Sequence, residues 1–256
     1  MRPPAPERRT VVLTALAVAL ATLAATLSPL ALPPGYHDFA DRRSWLGVPN
    51  AADVLSNLGF ALVGLLGLAE LRRGRLAVAP AARGAYALFF SALLPTALGS
   101  AWYHLAPDDG RLLLDRAPIV LCSAALMAAA LAEARRPPPG CARAWPCAAL
   151  AALGLATLAY AHHSGDLAPY LVFQLAPLAL LPLVQTLYPT PARQRASIAV
   201  AIVCYLLARG GELADRALFD ALGVVSGHTL KHLFVTLAVV AVWRGLPRHA
   251  GTRKRG

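Results

Sequence analysis

Charged residues are few in this chain: Asp, Glu, Lys and Arg make up 14% of its 256 residues, against 57% hydrophobic. That shortage excludes an ordinary soluble domain and makes lipid the expected solvent. Lysine is nearly missing, standing only at 231 and 254, so the basic charge is almost all arginine. A GC-rich coding bias accounts for that without any chemistry. The net charge of +11 suits a nucleic-acid partner at first sight. No RRM-like, zinc-finger or basic-helix pattern accompanies it, and the basic residues cluster in short segments between apolar spans, so no nucleic-acid partner is expected. Cysteine is scarce too. The four lie at 122, 141, 147 and 204 with no CxxC among them, which excludes a disulfide framework and a cysteine-rich zinc site. They read as small buried apolar residues. Internal repeats and low-complexity segments are also lacking.

What the chain has is long apolar runs. A bilayer core needs about 20 apolar residues per helix, and eight stretches qualify, at about 11–32, 53–71, 84–104, 115–133, 145–161, 168–187, 195–209 and 226–243. Pro95, Pro118, Pro177 and Pro182 fall inside them, as kinks that membrane helices tolerate when neighbours satisfy the freed backbone. The Arg-Arg-Pro-Pro-Pro run at 135–139 reads as a loop. With the N-terminus inside, the cytoplasmic segments carry 17 of the 24 basic residues, which is the asymmetry the positive-inside rule requires. Both termini are therefore expected in the cytoplasm. Residues 1–35 read as a basic N-terminus plus an extra helix, 36–243 as a seven-helix domain, and 244–256 as a basic tail. The first helix has a second reading, as a cleaved signal peptide; its apolar run is longer than a usual signal core, which favours a retained helix.

This topology gathers the unusual polar residues at one end of the bundle, toward the outer face. His104 and Ser100 lie four apart near the end of the third span. Asp115 opens the fourth after a short loop. Asp53 and Asn57 lie four apart near the end of the second, and His228 and His232 enter the eighth from the same side. Ionisable residues inside a membrane are costly and mark function. A His-x3-His pair puts two imidazoles on one helical face, and a third from another helix completes a set of three zinc ligands with an open position. Zinc brings the pKa of bound water toward about 7. Asp115 could then act as general base and Ser100 as a donor to a developing oxyanion. The plainer roles stand beside these: a helix-capping acid for Asp115, a packing hydroxyl for Ser100, and a structural contact for Asp53 and Asn57. Arg116 and Lys231 either bind a lipid headgroup or snorkel to the interface. His162 and His163 read as surface residues of an outer loop, and His249 belongs to the basic tail.

These residues also form motifs. Asp53-Val-Leu-Ser-Asn57, Gly99-Ser-Ala-Trp-Tyr-His104, Asp115-Arg-Ala-Pro and Gly227-His-Thr-Leu-Lys-His232 together resemble the alkaline ceramidase family, within the wider CREST superfamily of seven-helix membrane hydrolases and receptors. Tyr36-His-Asp-Phe-Ala-Asp41 and Gly47-Val-Pro-Asn50 resemble its bacterial members. The resemblance runs over about residues 36–240. It implies an all-α seven-helix bundle, here with one extra N-terminal helix, and a zinc site held by His104, His228 and His232. It further implies that Asp115 activates the water, that Ser100 steadies the oxyanion, and that the reaction is hydrolysis of the ceramide amide. The family's structural Ca²⁺ would fall to Asp38, Asp41 and Asn50. Arg43 and Asn50 stand where further carboxylates are expected, and because calcium prefers 6–8 oxygen ligands this departure argues against a complete calcium site.

The expectation is therefore a zinc-dependent membrane amidohydrolase acting on ceramide or another N-acyl lipid. A seven-helix receptor or lipid-binding protein with structural zinc is the alternative. A transporter fits less well, because its ionisable groups should link both faces of the membrane.

Overall fold

Residues 5–135 and 145–249 are described by the structure, a computed structural model. Long apolar runs become helices because lipid offers backbone groups no partner, so each N–H and C=O must be satisfied within its own segment. In chain order these are α1 (Pro6–Leu27), α2 (Ala51–Leu55), α3 (Leu58–Arg72), α4 (Pro80–Leu105), α5 (Asp109–Arg135), α6 (Trp145–Ser164), α7 (Ala168–Leu187), α8 (Ala192–Leu213), α9 (Asp215–Leu222) and α10 (Gly227–Gly245). Among the described residues there is no strand, only two isolated bridges. Pro6 and Pro80 stand in the first turns of α1 and α4, where a missing N–H costs nothing. The interior prolines lie inside continuous helices, as expected.

The chain is an all-α, multi-pass membrane bundle. Six helices are long and apolar enough to cross a bilayer: α1, α2 with α3, α4, α5, α7 and α8. The pair α9 and α10, bent by 103°, makes up to a seventh. Eight spans are expected from the sequence; among the described residues six helices, or seven with the bent pair, are long and apolar enough, and α6 is not one of them. α10 needs its partner because His228, Lys231, His232 and Arg244 make it polar for its 19 residues. α6 begins directly after undescribed residues. Those residues include the 136–139 part of the expected proline loop and Cys141, and the tail beyond His249 is likewise outside the described residues.

Apolar residues fill both the core and the outer surface. Phe90, Leu93, Ala125, Ala129, Val239 and Trp243 form the core where α4, α5 and α10 meet. Leu62, Leu65, Leu98, Val203 and Leu206 are more than half exposed, a surface that hydrocarbon solvates and water does not. The extra helix sits at the rim. α1 has no buried residue and packs on α7, with Leu20 and Leu13 touching neighbouring clusters. It starts and stops about five residues before the expected 11–32, ending where Ser28 and Pro29 leave helical geometry. The chain after it is fastened to the α6–α7 turn: Ser28 donates to Asp166, Leu30 N–H donates to Asp166 Oδ1 at 2.9 Å, and Leu167 N–H donates to Leu30 O at 2.8 Å. These bonds, Ser28 first, hold the Asp166 carboxyl below its usual range.

Two helix crossings position the site. At Gly99 a Cβ would come 2.4 Å from Leu114 O, so α5 lies directly on α4 there and brings Asp115 beside Ser100. At Gly227 a Cβ would come 2.0 Å from Gly211 O and 2.7 Å from Asp215 Cα. Only glycine permits either approach.

Candidate metal centre

His104 closes α4, and His228 and His232 occupy the first two turns of α10. The four-residue spacing stacks the α10 pair on one face, and the ends of α4 and α10 meet. His104 is 1% exposed, and His228 and His232 are 3% exposed. One ligand atom from each lies within 4.8 Å of the others. The Nε2 atoms of His104 and His228 are 3.2 Å apart. Two imidazole nitrogens at that separation share a proton or a cation. For a tetrahedral ion with metal–nitrogen bonds of about 2.0–2.1 Å, neighbouring ligand atoms lie about 3.3–3.4 Å apart. One edge of the set has nearly that length. The geometry is therefore compatible with a metal ion on three imidazoles, and the ion's identity is left open by the ligand set.

Neighbouring groups fix each imidazole differently. Ser56 Oγ donates to Asp53 O at 3.0 Å and lies 2.8 Å from His232 Nδ1. A hydroxyl has one proton, so toward His232 it accepts, which puts the ring proton on Nδ1 and leaves Nε2 free as a ligand. His228 is placed by its backbone, whose N–H donates to Asp215 Oδ1 at 2.8 Å; the other oxygen of Asp215 accepts from Ala40 N–H at 2.9 Å. His104 is placed from behind by Asn50, whose Nδ2 donates to the His104 carbonyl at 2.8 Å. Its Nδ1 has no hydrogen-bond partner, so packing holds the ring, between Phe39 and Tyr103 at centroid distances of 4.8 and 4.9 Å. Phe39 also lies 4.3 Å from the His228 ring. It covers the cluster.

Asp115 and Ser100 are buried beside one another. Asp115 Oδ1 is a buried acceptor without a partner. Such orphaned groups are uncommon and call for an explanation. Asp53 and Asn57 make structural bonds, and Asp53 Oδ2 and Asn57 Oδ1 are likewise buried without a partner among the described residues. Asp53 Oδ1 accepts from Thr229 Oγ1 at 2.5 Å and Ser226 Oγ at 3.4 Å, so it locks the start of α10, where Ser226 caps Thr229 N–H. Asn57 Nδ2 donates to Asp53 O at 2.7 Å across the α2–α3 break.

The centre faces a cavity of about 600 Å³. Its wall deeper than the histidines is mostly apolar, with Phe89, Leu93, Ile119, Val235 and Val239 beside Thr96, Cys122 and Gln174. At the level of the histidines the wall is polar. Lys231 Nζ donates to Glu212 Oε1 at 2.7 Å and lies 3.4 Å from His228 Nε2, and Arg209 also pairs with Glu212. A positive group this close to the imidazoles competes with a metal ion, and Glu212 draws it away.

The acidic segment before α2 is closed by arginines and not arranged around a cation. Asp41 pairs with Arg43 at 2.6 Å, Asp38 pairs with Arg42, and Asn50 serves His104 as above. The Arg43 guanidinium holds the Asp41 carboxyl below its usual range. Arg43 also donates to the carbonyls of Gly223 and Val224 at 3.1 and 2.8 Å, so the segment straps the α9–α10 turn. His162 and His163 are exposed as expected. They lie in the last turn of α6, not in a loop, with ring centroids 5.4 Å apart.

Sequence reasoning missed Ser56, Phe39 and Asp215. Ser56 lies inside the Asp53–Asn57 motif and Phe39 inside the Tyr36–Asp41 segment, so position in a motif was the available signal for both. Asp215 had none. Set against models of protein families and against curated proteins, the chain matches none of them.

Proposed function

We propose that the chain is a zinc-dependent intramembrane amidohydrolase that cleaves the amide of ceramide or a related N-acyl lipid to a fatty acid and a long-chain amine. The observation that carries this reading is the pairing of three buried imidazoles within 4.8 Å with a buried, unpartnered Asp115 oxygen that shares a cavity wall with two of them, His228 and His232. Held by His104, His228 and His232, zinc would leave a fourth position for water, bring its pKa toward about 7 and polarise a carbonyl. Asp115 Oδ1 is free to take a proton from the attacking water and return it to the leaving amine. The Ser100 hydroxyl donates to the carbonyl oxygen as charge builds there. Phe39 excludes bulk water from the imidazoles. The acyl tail lies along the apolar depth of the cavity and need not leave the bilayer.

The charge asymmetry supports both termini cytoplasmic and the site toward the outer face, and the resemblance to bacterial family members supports a bacterial inner membrane. A receptor with structural zinc has no use for the free Asp115 oxygen. A proton relay needs ionisable groups deeper in the cavity, where Phe89, Leu93 and Val239 stand.

The test is metal content and N-acyl lipid hydrolysis on one detergent-purified batch, beside His104→Ala/His228→Ala. Near-stoichiometric zinc with product release, both lost in the double variant, is expected. Zinc without turnover across a lipid panel overturns the enzyme reading, and full metal occupancy in the double variant overturns the site.

A further inference from the structure

Arg116 is 8% exposed and lines the cavity, yet it makes no ion pair among the described residues. Its guanidinium lies 5.3 Å from the Tyr36 ring centroid and 5.1 Å from that of Tyr170. Asp115, next in the chain, is the acid whose charge acts on it, but no Asp115 oxygen comes within ion-pair distance. The other cations of this cavity wall are committed, since Lys231 and Arg209 share Glu212. A buried guanidinium set between two aromatic rings, with the Tyr36 side chain as its hydrogen-bonding neighbour, keeps further N–H donors, and a guanidinium fork matches a carboxylate in two-pronged fashion.

The cavity's two ends say which part of a ligand meets it. α4 and α5 are antiparallel neighbours, and Arg116 sits two turns into α5 at the level of the histidines. The apolar residues Ile119, Leu93 and Val239 lie deeper. A hydrocarbon tail goes to the deep end and a polar head stays with Arg116, near Tyr36 and the segment before α2.

We propose that Arg116 is a carboxylate receptor for the head of the ligand, so that the preferred substrate is an N-acyl lipid with an acidic head, such as an N-acyl amino acid, and not a neutral ceramide. This rests on the hydrolase reading for the word substrate. The binding preference itself is measured without turnover.

The experiment compares N-oleoylglycine, neutral N-oleoylethanolamine and oleate in equilibrium binding to the detergent-purified full chain. One charge-assisted pair predicts about tenfold tighter binding of N-oleoylglycine than of N-oleoylethanolamine. Arg116→Gln should bring that ratio to about one while leaving the affinity for N-oleoylethanolamine unchanged. Arg116→Lys, which keeps the charge without the fork, should retain a reduced preference and covers the case in which the glutamine variant does not fold. Equal binding of the two amides by the wild type, binding of neither, or a preference that survives Arg116→Gln overturns the proposal. Oleate that binds as tightly as N-oleoylglycine and depends equally on Arg116 also overturns it, because the carboxylate read would then be that of the acyl product. His228→Ala separates the two readings: hydrolysis should vanish there while the anionic preference persists. A wild type that shows the preference but hydrolyses neither amide would sink the hydrolase reading and leave the receptor standing.

Discussion

Removing the Ser56 hydroxyl probes how the metal centre is pre-set. Ser56 gives its only proton to Asp53 O, so it accepts from His232 Nδ1 at 2.8 Å and holds the tautomer whose Nε2 can ligate. In Ser56→Ala the metal-free ring escapes the loss by moving its proton to Nε2. A metal on Nε2 forbids that move, so the bound state loses one of the two acceptors, Ser56 Oγ and Asp53 O, that the buried ring N–H faces. One hydrogen bond is worth about 0.5–1.5 kcal/mol, and about 1.4 kcal/mol is tenfold in affinity. The expected loss of zinc affinity is therefore about 2–10-fold. Chelator competition on the purified protein measures it, with the melting temperature of the metal-free form as the control for folding. Ser56→Thr retains the hydroxyl and should bind close to wild type. Zinc affinity within twofold of wild type in Ser56→Ala, or an equal loss in Ser56→Thr, would refute the reasoning.

The remaining predictions concern other parts of the same geometry. Asp115→Asn should keep the metal and lose at least about 100-fold in turnover, as expected for a general base; an undiminished rate removes Asp115 from the mechanism. Gly99→Val puts a Cβ 2.4 Å from a backbone oxygen that cannot swing away, so it should cost about 1–3 kcal/mol by overpacking and lower turnover by pushing Asp115 from Ser100. Gly84→Ala, with nothing within 4 Å of the added Cβ, is the clash-free comparison in the same thermal melts and should leave the melting temperature unchanged or raise it, since alanine favours a helix over glycine. Asp41 has a lowered carboxyl pKa in the folded chain, chiefly through Arg43. Its contribution is thus fully present above the unfolded value of about 3.9 and is lost as pH falls through the folded one. Melting curves of wild type and Asp41→Asn should differ at neutral pH and converge in acid, and a gap that persists into acid contradicts the pairing.

Much of the fold could be read from hydropathy, because lipid forces apolar runs into helices of bilayer length. Boundaries were harder. α1 slipped by about five residues because its apolar run continues past Leu27 while its geometry does not. The break between α2 and α3 was invisible, since Ser56 and Asn57 interrupt the helix through side-chain bonds to nearby carbonyls, not through a proline. The acidic segment was read through its Asp residues as a possible calcium site, whereas the arginines interleaved with them set its structure.

The sequence by itself determined that three imidazoles lie at the ends of membrane helices, two of them one turn apart, because helical periodicity and the cost of ionisable groups in lipid are local properties. Tertiary structure alone decided that the three meet. His104 and His228 are 124 residues apart in the chain, and their 3.2 Å separation depends on how α4 and α10 lie among their neighbours. α3 packs on both, with Gly64 against Phe90 O of α4 and Gly59 against Thr236 of α10. The same holds for Ser56, Phe39, Asp215 and Arg116, whose roles come from what packs against them and not from their residue types.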